Sequence, residues 1–168
     1  MLGTDVRIGE ACALRWSAVD LEAGSLKIEA TLVGVPGEGL AIQEFPKTTA
    51  GRRTIALPAF VVDLLQDRRR LLRPNAESQV AFPSPNGRLR DPHNTSTDLR
   101  RALDRAGFTW VTSHVVRKTV ATRLDEAGLS ARRIADHLGH NRPSLTQDVY
   151  MGRGLASPEA ASALQRLR

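Results

Sequence analysis

The stretch SHVVRKTVATRLDEAGLSARRIADHLGH, residues 113–140, carries two helix signals in series. Thr112 or Ser113 offers a side-chain cap, an uninterrupted run follows to Ala127, and Gly128 supplies a stop. Ser130 then caps ARRIADHL, which Gly139 closes. Working outward, PSLTQDVY reads as a further helix. SPEAASALQRLR forms a capped tail helix, with Ser157 before Pro158. Toward the N-terminus, Leu99 to Ala106 reads as a helix closed by Gly107, and FPSPNGRLRDPHN reads as loop. Pro58 opens a helix with an apolar stripe at Phe60, Val61, Leu64 and Leu65. GSLKIEATLVGV, GLAIQEF and Arg53 to Leu57 alternate apolar and polar residues, which predicts three antiparallel strands. Val6 to Leu14 reads as a short helix, with Asp5 as its N-cap. The expected class is α+β, mainly α, with a small antiparallel three-stranded sheet near the N-terminus.

At 168 residues and 41% apolar content the chain suits one globular domain. Its formal net charge is +6, and of its 24 basic residues only Lys27, Lys47 and Lys118 are lysines. An excess of planar, bidentate arginine forks suits phosphate, although a solvated basic surface has the same composition. Cys12, the sole cysteine, lies in an apolar run and reads as a buried small hydrophobe. No Cys/His cluster has zinc spacing, and no segment has the length and apolarity of a membrane span. The expected location is the cytoplasm, with no membrane partner.

Tyr150 is the only tyrosine. A phenol with a pKa near about 10 is a poor nucleophile unless its target is made receptive. A phosphodiester becomes receptive when arginine forks neutralise its oxygens and a proton donor serves the leaving alkoxide. A tyrosine acting on DNA therefore requires two arginines, a histidine, and a lysine or second histidine. The chain supplies that set. His114 and Arg117 stand at i and i+3 on one helix face, near an N-terminus whose dipole favours phosphate. His140 follows the glycine-terminated helix. Arg7 has Glu10 one turn later to hold its guanidinium. Lys47 sits at the lip of a predicted hairpin, PKTTAGRR.

With these motifs in place, the chain resembles the catalytic domain of the tyrosine recombinases, or phage integrase family. RIGEACALRWSAVDLE resembles the family's first arginine box, PKTTAGRRTIALP its hairpin lysine, and residues 113–152 its second box nearly throughout. The resemblance implies that Arg7 and Arg117 clamp the scissile phosphate, with Glu10 supporting Arg7. It implies that His114 shuttles a proton and positions the phosphate, and that His140 hydrogen-bonds a non-bridging oxygen. Lys47 would be the acid for the 5′-hydroxyl leaving group, and Tyr150 the nucleophile of a 3′-phosphotyrosyl intermediate. No metal, nucleotide or other cofactor is needed. The implied partners are double-stranded DNA at attachment or recombination sites, and three further copies in a tetramer on DNA, with a monomer expected alone. Accessory DNA-bending or excision factors are also implied, as is a bacterial or phage source. The expected layout is a catalytic domain over residues 1–156 and a tail helix over 157–168, without the core-binding domain of full-length members. Lys118 stands where the family usually has another histidine, and Asp5 where a glycine is common.

Taken singly, Arg7, Lys47, His114 and Tyr150 each read as ordinary surface or core residues; their joint order and spacing favour catalysis. His137 reads as a helix-surface or C-terminal dipole partner, and His93 as a loop residue. Arg68, Arg69 and Arg70 read as a solvated helix face, and Trp16 and Trp110 as core. Alternatives left open are a helix-turn-helix regulator, suggested by ATRLDEAGLSARRIADHLGH, a decayed integrase remnant that only binds DNA, and a nick-closing enzyme similar to a type IB topoisomerase.

Overall fold

The computed structural model describes residues 3–45, 51–71 and 79–139. Lys47, His140, Tyr150, the helix expected over PSLTQDVY and the tail helix lie outside the described residues. The chain opens with α1 (Ile8–Ala13) and a 3-10 turn at Trp16–Ala18. Strands β1 (Val19–Asp20), β2 (Ser25–Ile28), β3 (Ala30–Val35), β4 (Gly39–Glu44) and β5 (Arg53–Ala56) follow. Helices α2 (Ala59–Leu71), α3 (Pro92–Arg105), α4 (Ser113–Glu126) and α5 (Ala131–Leu138) complete the described chain. The mainly helical class with a small antiparallel sheet is as the sequence predicts.

The strand pairing differs from a simple three-strand meander. GSLKIEATLVGV is not one strand: it breaks at Glu29, and its halves enter different sheets. β2 is the centre of a three-stranded sheet in the order β1-β2-β5, while β3 and β4 form a separate antiparallel ribbon. Leu26 pairs with Ile55 in the first sheet, and Leu32 with Ile42 in the second. The hand-over is held by the Phe45 amide, which donates to the Glu29 carbonyl at 2.7 Å. The two strands flanking residues 46–50 thus lie in different sheets. They are not the two arms of one ladder, as a hairpin about Lys47 requires.

Alternation along the strands sends Leu26, Ile28 and Ile55 into a core shared with Val6, Leu14 and Leu65. The ribbon's Ala30 and Leu32 pack on Cys12 and Ala13 of α1. Cys12 is buried, and burial pushes its thiol pKa up, as an inert core residue requires. The helical end has its own core of Ala121, Ile134 and Leu138.

Several local expectations are corrected by contacts across the fold. The N-cap of α1 is Arg7, not Asp5, because Asp5 adopts a left-handed backbone with φ +52°. Helix α3 starts at Pro92 rather than Leu99. The Asp91 side chain accepts from the amides of His93 and Asn94, and proline fits the first helical position. His93 is therefore a helix residue. On α2, Leu65 is buried but Phe60 and Leu64 are exposed, so the buried stripe is narrower than the sequence suggests. Arg68 is not simply solvated: its guanidinium lies over the Phe82 ring, and its Nε donates to the Ala81 carbonyl at 2.8 Å. Arg69 lies over Trp16. Trp16 packs against the core as expected, whereas Trp110 is exposed.

Candidate active site

Four segments of the chain meet at one polar cluster: the entry to α1, the start of β5, the first turns of α4 and the end of α5. Glu10 is its hub. Its side chain is 2% exposed, yet it is bound on both oxygens. Oε1 accepts from Arg7 Nη1 at 2.8 Å and from Arg53 Nη1 at 3.1 Å. Oε2 accepts from the Arg7 amide at 2.9 Å and from Arg53 Nη2 at 2.8 Å. Burial alone raises a carboxyl pKa, but hydrogen bonding to and the charge of Arg53, joined by Arg7, outweigh it and bring Glu10 below its ordinary value. Glu10 thus remains a charged acceptor, and the Arg7 side chain, 43% exposed, presents the rest of its fork to solvent.

Arg117 approaches the same cluster from α4. Its Nη1 donates to the Asp5 carbonyl at 2.9 Å, and its Nη2 to the Leu138 carbonyl at the end of α5 at 3.1 Å. The Asp5 carboxylate lies 2.9 Å from the same Nη1. Arg117 is 11% exposed, so its direction is fixed by neighbours on two other elements. Thr112 caps α4 by accepting from the Val115 amide, which sets His114 on the first turn with its side chain exposed. Arg117 follows one turn later on the same face.

The structure brings Arg7, Glu10 and Arg117 into this cluster and sets His114 one turn from Arg117. Lys47, His140 and Tyr150 lie outside the described residues. His137 is half-buried in the last turn of α5; burial, then the charge of Arg53, pull its imidazole pKa down. Its backbone carbonyl, rather than its ring, joins the cluster, accepting from Arg53 Nε at 3.0 Å. Among the described residues no group of histidine, cysteine and acidic side chains has the geometry of a metal site. No described helix is long and apolar enough to cross a membrane.

The sequence pattern described as "Phage integrase family" matches residues 1–153. The chain belongs to the phage integrase family. It is 27% identical over 166 residues to a "Tyrosine recombinase XerC-like" protein of Caldanaerobacter subterraneus subsp. tengcongensis, covering 88% of this chain and 42% of that one. It is 29% identical over 150 residues to "Tyrosine recombinase XerA" of Thermococcus kodakarensis, covering 88% of this chain and 46% of the relative. The chain therefore spans less than half the length of these curated relatives. Its fold matches that of the Tn1549 transposon integrase, solved in complex with a circular intermediate DNA. That match has a TM-score of 0.81 at 23% identity, over 99% of this chain and 56% of the other.

For an integrase-family chain Asp5 is an unusual element. Its left-handed backbone explains why glycine suits the position, and only asparagine and aspartate otherwise adopt it with ease. The side chain is fully buried, and burial pushes its pKa up to about 7 despite the opposing charges of Arg117, Arg53 and Arg7. A carboxyl raised on folding holds its proton better in the native state, so it weakens the fold progressively between its unfolded value of 3.8 and about pH 7. Asp5→Asn is expected to match the wild type in stability near pH 4 and to exceed it by about 1–2 kcal/mol at pH 8. Local relaxation around the ionised Asp5 side chain keeps the difference below the full shift. Urea denaturation midpoints across that pH range check this; a constant offset at every pH refutes it.

Arg53 is the residue that sequence reasoning missed. The signal was present in GRRTIA: strand alternation puts Arg53 on the same face as buried Ile55. An arginine on an inward face requires a buried carboxylate, and Glu10 is that partner.

Proposed function

We propose that this chain is the catalytic domain of a site-specific DNA recombinase that cleaves and rejoins strands through a 3′-phosphotyrosyl intermediate. The observation that supports this best is the convergence of Arg7 and Arg117 from distant segments onto one cluster, each with a buried carboxylate against it, Glu10 and Asp5. Two oriented guanidinium groups are what a dianionic pentavalent phosphorane requires. In this reading His114, exposed one turn from Arg117, positions the phosphate and moves a proton.

In this reading Tyr150 Oη attacks the scissile phosphorus as the bond from phosphorus to the 5′ oxygen breaks. Lys47 protonates that oxygen, and His140 hydrogen-bonds a non-bridging oxygen. The Tyr150 proton leaves through His114 or solvent. Attack by a 5′-hydroxyl of another strand reverses the sequence and regenerates the phenol, so the bond energy is conserved without nucleotide or metal. The partner is duplex DNA carrying recombination sites, bound in the bacterial cytoplasm. The assembly on DNA is a tetramer across two duplexes, aided by bending or excision factors, and the chain alone is a monomer. The excess of arginine over lysine supports a phosphate-rich partner.

The test is covalent trapping. The protein is mixed with a pool of nicked duplexes whose cleaved fragment diffuses away, then resolved on a denaturing gel. The expected result is a protein–DNA adduct whose linked peptide contains Tyr150. DNA binding with no adduct would instead favour a non-cleaving DNA-binding protein.

A further inference from the structure

We infer that Arg53 is a positioning residue for cleavage: it locks Arg7 and the C-terminal end of α5 at a fixed separation. The inference rests on the recombinase reading above. Arg53 is buried, with a side chain 6% exposed. Its fork reaches two pieces of the site at once. Nη1 and Nη2 hold both oxygens of Glu10, the same oxygens that hold Arg7. Nε donates to the His137 carbonyl, in the last turn of α5. Nη1 also lies 3.3 Å from the Gly51 carbonyl, which anchors the segment following residues 46–50.

A second observation comes from Gly139. Its φ is +66°, and a Cβ there would lie 2.8 Å from Arg53 Nη1 and 3.1 Å from Arg53 Cζ. The left-handed cap of α5 at Gly139 is therefore shaped against the Arg53 guanidinium, not merely near it. Arg7, β5 and the end of α5 through Gly139 all register on one planar group. Lysine cannot reproduce this: a single ammonium on a flexible stem lacks the planar fork that meets Glu10 and the His137 carbonyl together. Since displacement of reacting groups by about 1 Å can cost about 100-fold in rate, loss of this register should fall on the chemical step.

Arg53→Lys in the full chain tests the inference through two readouts. On nicked duplex at saturating DNA, the adduct should form at least about 30-fold more slowly, with DNA affinity within about threefold of wild type. A cleavage-independent readout uses binding of the same duplex. Arg7→Ala should weaken affinity about tenfold in the wild-type background but only about threefold in the Arg53→Lys background, because Arg7 is already misaligned there. Thermal denaturation sets the temperature so that both proteins are fully folded. An Arg53→Lys protein that cleaves at the wild-type rate overturns the inference, as does an Arg7→Ala penalty equal in both backgrounds. If wild type forms no adduct at all, the recombinase reading fails, and the binding cycle alone still decides whether Arg53 positions Arg7.

Discussion

Tyr150→Phe is expected to abolish the covalent protein–DNA adduct down to the detection limit. On the proposed mechanism phenylalanine keeps the ring and removes the phenolic oxygen that bonds phosphorus, so the loss is of the nucleophile itself. No other phenol can inherit the step, because Tyr150 is the sole tyrosine. DNA binding should persist within about threefold, since at most one hydrogen bond is lost, and it should weaken steeply with added salt. Running the adduct gel beside an anisotropy titration separates the two effects. An adduct formed by Tyr150→Phe would remove the tyrosine assignment whatever the binding result.

The second large effect is structural. Glu10→Ala is expected to lower folding stability by about 3–5 kcal/mol, the usual cost of stranding a buried charge. The charge stranded is Arg53, 6% exposed, which would lose both of its carboxylate contacts. Arg7 loses its partner too, but at 43% exposure water replaces much of that contact. Glu10→Gln should be milder, since one amide oxygen still accepts, although its amide nitrogen then faces a guanidinium. The pH dependence gives a further check. The Glu10 pKa is lowered on folding, so its contribution is present above its unfolded value near 4.5 and is lost on acidification through the lower folded value. Urea midpoints for wild type should therefore fall in acid, and that part of the fall should be missing in Glu10→Gln. A Glu10→Ala protein as stable as wild type would mean that Arg53 finds another anion.

The helical half of the molecule was legible because its signals are local. Thr112, Ser130 and Gly139 cap or close their helices within a few residues, and the structure places the boundaries of α4 and α5 accordingly. The sheet was less legible because pairing is not local. Nothing within GSLKIEATLVGV marks Glu29 as a hand-over; the break depends on β5 returning to β2 across the inserted ribbon. The same holds within the site. Arg7 and Glu10 are one helical turn apart and pair as spacing predicts, whereas Arg53 is 43 residues from Glu10 and its role emerges only once the fold brings the start of β5 to Glu10. Asp5 was visible as a departure at a glycine position, but its contact with Arg117 spans 112 residues. Trp110 shows the limit of composition: a large aromatic ring reads as core, yet here it stands on the loop before α4, 67% exposed.

That placement of the two tryptophans gives the protein a built-in pair of optical reporters. Trp16 emits from beside the sheet core, with Arg69 over its ring, so its signal follows the integrity of the fold. Trp110 emits from solvent, four residues ahead of His114 in the chain, so a nucleic acid settling over the start of α4 would change its quenching first. On the proposed function, replacing Trp16 with phenylalanine would make fluorescence a stopped-flow clock for arrival at the site, readable without labelling the DNA and without waiting for any bond to break.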